Sequence, residues 1–193
     1  MPKRTVVAAV IVAIGAAFAT AAYFMYEQLG NDAEVKLPAM AAPRIVIEKA
    51  KRRLAVFDGE SVVAEFGIGL GFAPNGDKAI EGDGRTPEGD FYIFTKNPES
   101  RFFLSLGISY PTREDADRGL AEGLISEEEH RAIANAIYEK RMPPQKTKLG
   151  GEIYIHGGGD KSDWTEGCIA LKNNEMRALF DAIPVGTPVS IKP

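Results

Sequence analysis

Hydrophobic and polar positions divide the chain of 193 residues into three parts. An uncharged run from Thr5 to Tyr26 follows Lys3 and Arg4, and it is long enough to cross a hydrocarbon core of about 30 Å as a helix. Residues 31–43, NDAEVKLPAMAAP, are rich in alanine and proline and predict a spacer. Alternating and helical patterns begin at Arg44 and continue to Pro193, so this part is expected to form one folded domain.

The charges around the apolar run predict its orientation. Basic residues precede it, whereas Glu27, Asp32 and Glu34 follow it, which places the C-terminal body outside the cytoplasm. Residues 1–4 are then a cytoplasmic stub, 5–26 a transmembrane signal-anchor and 27–43 a linker. The run exceeds the roughly 7 to 15 apolar residues of a signal peptide, which favours an uncleaved anchor. Small residues at 19–22 leave open a cleaved signal peptide and a secreted protein.

The pattern at residues 44–193 predicts mainly strands with two helical segments. RIVIEKAKRRLAVF predicts two short strands around the basic turn Lys49 to Arg53, and further strand patterns occur at 61–71, 90–94, 101–110, 152–155 and 189–191. Residues 112–146 change to helical spacing, with Ser126 and Glu129 forming a capping box. Residues 173–183 predict a last helix capped by Asn173 or Asn174. The fold class is therefore α+β, mainly β, with a helical insertion.

Composition excludes some partners. The chain has 23 Lys and Arg against 27 Asp and Glu, a net charge of −4, and no basic cluster that would neutralise phosphates, so no nucleic-acid partner is expected. The sequence carries no signal for a particular oligomeric state. Cys168 is the chain's single cysteine, so in an exported domain it is an inert buried thiol, an intermolecular link or a reactive group.

The segment IHGGGDKSDWTEGCIAL, residues 155–171, brings Cys168 close in sequence to His156. A thiol becomes a good nucleophile when a neighbouring imidazole takes its proton. His156 ends a predicted strand, which would fix its direction, and Gly167 permits a tight turn whose N–H groups could face a reacting carbonyl. The alternative is structural: Cys168 as a small buried hydrophobe and His156 as a packed strand-end residue.

A zinc site is a second alternative, because His156, Asp160, Asp163 and Cys168 all offer ligands. Catalytic zinc usually takes three protein ligands in which histidine is prominent, and His130 in the helical insertion is the only other histidine. We therefore expect no metal, and no sequence motif indicates an organic cofactor.

Four ordered segments resemble one known family, the L,D-transpeptidase catalytic domain of the YkuD type. GRTPEGDFYI at 84–93 is similar to the family's G-x-T-P-x-G-x-F segment, and TEGCIAL at 165–171 is similar to its S/T-x-G-C segment. IHG at 155–157 and AIPVGTPVSI at 182–191 complete the set. Together these segments span almost all of residues 44–193.

The resemblance implies a β-sandwich-like catalytic fold and a cysteine acyl transferase that acts on peptidoglycan stem peptides, with peptidoglycan and the membrane as its partners. Carried over by position, Cys168 would attack the acyl donor and His156 would be its base. The carbonyl of Gly157 would orient the imidazole, and the N–H groups of Gly167 and Cys168 would hold the oxyanion.

Three departures from the family pattern affect the expected substrate more than the expected nucleophile. The interval from His156 to Cys168 is shorter than usual, Ala170 stands where many members carry arginine, and the insertion at 112–146 lies where members carry a variable cap. They leave open a hydrolase of the same fold, an L,D-carboxypeptidase or amidase, and a catalytically silent wall-binding module.

Four residues are weaker candidates for substrate binding: Trp164, Thr165, Asp163 and Arg85. Trp164 and Asp163 lie beside the nucleophile in sequence, although Trp164 equally suits a packing role in the loop. For Arg85 the preferred interpretation is a structural turn before Pro87.

Overall fold

One eight-stranded sheet organises the part of the chain that the structure, a computed structural model, describes: residues 34–193. Its strands are β1 (Pro43–Glu48), β2 (Arg53–Asp58), β3 (Ser61–Gly67), β4 (Gly89–Asn97), β5 (Ser105–Ile108), β6 (Tyr154–His156), β7 (Ile169–Ala170) and β8 (Pro188–Lys192). The predicted membrane anchor at 5–26 lies outside the described residues. Within residues 34–193, no helix has the length and apolar character needed to span a membrane.

The first hairpin forms as the alternating pattern predicts. In β1 the side chains of Ile45 and Ile47 are buried while their neighbours are more exposed, so one face packs on the core. The predicted basic turn is a short 3-10 helix, Lys49–Lys51, closed by Arg52 in the left-handed conformation at φ 48°. β2 returns antiparallel, with Pro43 paired to Asp58 and Glu48 to Arg53.

The order of the strands differs from the expected sandwich. The sheet runs β3-β2-β1-β8-β4-β5-β6-β7 without a break. β1 and β8 are parallel, β6 and β7 are parallel, and the other neighbours are antiparallel. The chain that follows β3 bridges to the far end of the sheet, where Gly69 pairs with Ala170 and Gly71 with Thr165. The mainly-β prediction is therefore confirmed, and the strands form one sheet that curls on itself.

Three α-helices accompany the sheet in the described residues: α1 (Arg113–Ala121), α2 (Glu127–Tyr138) and α3 (Asn173–Ala182). α1 and α2 lie in the predicted helical insertion, and the capping box of Ser126 and Glu129 is present at the start of α2. The predicted cap of α3 is wrong. Lys172 is the N-cap, and it makes no side-chain cap bond because a lysine ammonium cannot accept one. The Asn173 Oδ1 instead accepts the Gly158 N–H at 2.9 Å.

Two apolar clusters fill the domain. The larger lies against the sheet and includes β6 and β7 through Ile155 and Ile169, both fully buried. The smaller lies under α1 and α2 and includes Ile133 and Leu149. Leu149 joins the two regions, because its carbonyl accepts the hydroxyl of the core residue Tyr110 at 2.9 Å. The inserted helices are thus tied to the segment that leads into β6.

Candidate active site

The pairing of β6 with β7 places His156 and Cys168 on one face of the sheet. Ile155 pairs with Ile169 and His156 with Ala170 in a parallel register, so Cys168, just before β7, lies opposite Tyr154. Side chains of directly paired strand residues share a face, and every second residue returns to it. Ile155 and Ile169 therefore face the core, whereas His156 and Cys168 face away from it on diagonal positions.

Both side chains line an open cleft with a volume of about 900 Å³. The cleft is bounded by the β4–β5 connection, the segment before β6, the loop that leads into Cys168 and the loop after β3. Its lining residues are Lys78, Glu81, Gly82, Asn97, Glu99, Ser100, Arg101, Phe102, Ser105, Gln145, Gly150, Gly151, Glu152, Ile153, Tyr154, His156, Trp164, Thr165, Glu166 and Cys168.

The imidazole of His156 is fixed by a hydrogen bond and two rings. Its Nδ1 lies 2.5 Å from the Gly157 carbonyl oxygen. Because a carbonyl can only accept, Nδ1 carries the proton and Nε2 is left with a lone pair. Phe102 stacks on the imidazole at 4.7 Å between ring centroids, and Trp164 meets it edge-on at 5.6 Å. The ring is therefore held in one tautomer and one orientation.

The thiol of Cys168 is held by the main chain of the neighbouring segment. The Tyr154 N–H donates to Sγ at 3.4 Å, and Sγ donates to the Glu152 carbonyl at 3.4 Å. Glu152 has a φ of 54°, a left-handed conformation that is uncommon for a residue with a side chain. Its N–H is fixed by the Gln145 side chain at 2.7 Å, so the segment that presents the carbonyl is itself anchored.

Burial favours the neutral form of both groups. It raises the pKa of the Cys168 thiol to about 11, against the effect of the Tyr154 N–H bond. It also lowers the pKa of His156, against a smaller effect of the Gly157 bond. At neutral pH the cleft therefore holds a neutral thiol and a neutral imidazole.

The loop before Cys168 is attached to the first hairpin by Asp163. Its carboxylate accepts Nε of Arg52 at 3.0 Å and an NH2 group of the same guanidinium at 2.7 Å, a two-pronged contact. It also accepts the Leu70 N–H at 3.0 Å. Asp163 is thus engaged in holding the loop and is not among the residues that line the cleft.

Thr165 and Gly167 form the turn that leads into Cys168. The Thr165 hydroxyl donates to the Cys168 carbonyl at 2.7 Å and accepts the Gly167 N–H at 3.2 Å. Gly167 has a φ of 133°, and an added Cβ would lie 2.8 Å from the Arg85 carbonyl oxygen, so only glycine fits. Of the two expected oxyanion donors, the Gly167 N–H is engaged, and only the Cys168 N–H has no acceptor among the described residues.

The structure thus divides the predicted residues into two groups. His156, Cys168, Trp164 and Thr165 line the cleft, although the Trp164 indole also donates to the Gly159 carbonyl at 3.1 Å and anchors the loop. Asp163 and Arg85 lie outside its lining. The Arg85 guanidinium donates to the Asp77 carbonyl at 3.2 Å.

Sequence reasoning missed several cleft residues, among them Phe102, Ser105, Lys78 and Glu152. Ser105 reaches the site because β5 pairs with β6 and places it opposite His156. The aromatic pair at 102–103 was visible as part of a strand pattern, but its place beside His156 depends on that register. Within residues 34–193, no three His, Cys, Asp or Glu side chains are grouped to hold a metal ion.

The curled sheet brings a cysteine and a histidine to one cleft, and comparison with known proteins identifies the family. The model of the L,D-transpeptidase catalytic domain (YkuD) family matches residues 42–191. The chain therefore belongs to this family.

Solved structures share the fold. The helical cell shape determining protein Pgp2 from Campylobacter jejuni is 25% identical, with a TM-score of 0.55, over 84% of this chain and 52% of that chain. Bd1075 from Bdellovibrio bacteriovorus is 22% identical, with a TM-score of 0.50, over 81% and 51%. The chain thus spans about half the length of these structures. Comparison with curated proteins found no significant match.

The pKa of Cys168 leads to a prediction for its reactivity. In the folded chain, the rate of alkylation by iodoacetamide should rise about tenfold per pH unit between about pH 7 and pH 10, because the thiolate fraction grows in that way below a pKa of about 11. Intact mass follows the reaction cleanly, since the chain has one cysteine. The urea-unfolded chain is the control and should level off near the ordinary thiol pKa of about 8.5. If the alkylation rate of the folded chain levelled off at or below about pH 8, the conclusion that Cys168 and His156 are both neutral would be wrong.

The anchoring of the loop by Asp163 leads to a second prediction. Asp163→Ala should speed amide hydrogen exchange in residues 160–168 by about tenfold or more, because hydrogen bonds to a charged group contribute about 1.5–3 kcal/mol. Hydrogen–deuterium exchange with mass spectrometry measures this. The control is Glu60→Gln, whose fully exposed side chain pairs with Arg44 at 3.9 Å and should leave these amides unchanged. Equal protection of the loop in both variants would show that Asp163 does not hold it.

Proposed function

We propose that this protein is an L,D-transpeptidase, a cysteine acyl transferase that acts on peptidoglycan stem peptides. The observation that carries the proposal is the placement of Cys168 and His156 on one face of paired strands in a single cleft, within a chain of the L,D-transpeptidase family. The similarity to a protein described as helical cell shape determining supports a substrate in the cell wall.

In the first half-reaction, Cys168 attacks the carbonyl of the third residue of a tetrapeptide stem. His156 Nε2 takes the thiol proton as the C–S bond forms, and Nδ1 stays bonded to the Gly157 carbonyl. The N–H group of Cys168 itself would donate to the oxyanion that develops on the attacked carbonyl. The proton then passes to the leaving amine, the C–N bond breaks, and terminal D-alanine is released from the acyl-enzyme.

In the second half-reaction, an amine from another stem attacks the acyl-enzyme and forms a cross-link. His156 removes the proton of the attacking amine and returns it to the sulfur of Cys168. Water in place of the amine would make the enzyme a carboxypeptidase.

The location follows from the N-terminal segment. We propose that residues 5–26 anchor the protein in the membrane and that the domain lies on the side of the cell wall, with residues 27–43 as a linker. Basic residues before the segment and acidic residues after it support this orientation. A tether of this length restricts the cleft to wall material within a few nanometres of the membrane.

Acylation tests the function. The full-length chain in detergent should gain the mass of one carbapenem, and Cys168→Ala should gain none, because the β-lactam carbonyl reacts with an activated thiol. The His156→Gln variant should acylate at least about 100-fold more slowly, since general base catalysis contributes about 10²–10⁴-fold. Intact mass spectrometry measures all three.

The products then separate the alternatives. With a tetrapeptide stem and an added amine acceptor, the transpeptidase forms a joined product, whereas a hydrolase yields tripeptide with or without the acceptor. Binding to isolated cell walls that persists in Cys168→Ser, with no acyl adduct on the wild type, would contradict the enzyme and indicate a silent wall-binding module.

Fractionation tests the anchor. The full chain should sediment with membranes and resist alkaline carbonate, and a chain that lacks residues 1–33 and is exported by a cleavable signal should appear in the soluble exported fraction. The mature N-terminus, read by mass spectrometry, is the control. A soluble protein whose N-terminus lies just beyond residues 19–22 would show that the segment is a cleaved signal peptide.

A further inference from the structure

The cleft contains one buried positive charge to which no role has been given. Its ionisable lining includes the carboxylates of Glu81, Glu99, Glu152 and Glu166 and the basic side chains of Lys78 and Arg101. Arg101 is exposed and lies over the Phe102 ring at 4.9 Å. Lys78 is only 3% exposed. We propose that Lys78 binds the terminal carboxylate of the acyl donor peptide and so selects the last peptide bond for attack. This inference rests on the proposed acyl transfer.

The partners of Lys78 leave it able to bind a ligand. Its Nζ donates to Asp83 Oδ1 at 2.8 Å and to the Ile80 carbonyl at 3.0 Å, and an ammonium has three donors. The Asp83 carboxylate also accepts the N–H groups of Ala79, Ile80 and Arg85, which hold it in place. One donor of the Lys78 ammonium therefore remains for an anion in the cleft.

The position of Lys78 is fixed from outside the cleft. Arg118 of α1 donates to the Lys78 carbonyl at 3.3 Å and to the Ala79 carbonyl at 3.2 Å. Arg118 is itself paired with Asp115, which belongs to the capping box of α1. The helical insertion therefore holds the lysine segment, and a bound anion would meet a charge that needs little reorganisation.

Lys78 lines the same cleft as Cys168. Its Cε would be 3.2 Å from a Cβ built on Gly150, which lies in the segment that also supplies the Glu152 carbonyl accepting the Cys168 thiol. Lys78 is also one of the groups that act to lower the thiol pKa. A carboxylate bound at Lys78 would therefore lie in the cleft that holds the thiol.

Lys49 shows what a purely structural lysine looks like in this fold. It is 2% exposed and pairs with Glu88 at 2.8 Å, much as Lys78 pairs with Asp83. However, all three of its donors are used, since it also donates to the Gly76 and Thr86 carbonyls at 2.6 and 2.8 Å. It does not line the cleft. Lys49 is therefore a matched control for burial and ion pairing.

The test compares a tetrapeptide stem with its C-terminal amide, using full-length chain in detergent. The wild type should favour the free acid in kcat/KM by about 10- to 100-fold, the range expected for a charge-assisted contact. Lys78→Met should reduce kcat/KM for the acid to the value for the amide, so that the ratio of the two falls to about one. Lys78→Arg should retain much of the preference. Lys49→Met and Arg101→Gln should keep the wild-type ratio, and a Lys78→Met variant that also keeps it would overturn the inference.

A second measurement needs no catalytic turnover. Cys168 is alkylated with iodoacetate and with iodoacetamide, and the ratio of the two rates reports positive charge near the thiol. The ratio of the iodoacetate rate to the iodoacetamide rate should fall several-fold in Lys78→Met and stay at the wild-type value in Lys49→Met. If the ratio of the iodoacetate rate to the iodoacetamide rate fell in Arg101→Gln and not in Lys78→Met, the inference would be overturned. If Lys78→Met does not fold, Lys78→Met with Asp83→Asn removes both charges of the pair and carries the same expectations.

The two measurements also distinguish a failure of the proposed function. If the wild type cleaves neither peptide while the alkylation ratio still depends on Lys78, the anion site stands and the stem-peptide substrate is wrong. If the wild type cleaves acid and amide equally, the acyl transfer stands and Lys78 is not its carboxylate site.

Discussion

The in-register pairing of two very short strands is the constraint on which the site depends. β6 has three residues and β7 has two, yet their parallel pairing decides which face His156 and Cys168 share. A shift of one residue would turn one of them into the core and bring an isoleucine into the cleft. The register is secured from both sides, because β5 pairs with β6 and Gly69 bridges to Ala170. Curling of the sheet is therefore part of the geometry of the candidate site, since it brings the chain after β3 against β7.

The loop between the two residues is short, and distant parts of the chain hold it. Asp163 connects it to Arg52 in the turn of the first hairpin, and the Gly158 N–H connects its start to Asn173 at α3. Gly167 packs against the Arg85 carbonyl, which explains in physical terms why the segment G-R-T-P-E-G accompanies the cysteine motif. A site fixed in this way places its reactive groups on rigid elements, as precise chemistry requires.

Local sequence patterns predicted the elements whose formation depends on neighbouring residues in the chain. The alternation of Ile45 and Ile47 predicted β1, and the capping box of Ser126 and Glu129 predicted the start of α2. The nucleophile and base candidates also follow from residue type and motif. Positions that depend on register could not be found in this way: Phe102 and Ser105 reach His156 through β5, and β7 is too short to leave a periodic signal. Lys78 looks like an ordinary loop residue, because its burial arises from Asp83 and the inserted helices.

Burial determines how much thiolate the site contains before a substrate binds. A thiol with its pKa raised to about 11 and an imidazole with its pKa lowered form no ion pair, so a reactive thiolate is scarce in the cleft. In the proposed reaction, a bound peptide would change this balance, because its carbonyl can accept the Cys168 N–H and the forming bond takes up the sulfur charge. Proton transfer to His156 would then accompany attack on that carbonyl. If the domain lies outside the cytoplasm, as proposed, a lone cysteine that stays protonated until a substrate binds would also be protected from oxidation, since the thiolate is the form that reacts.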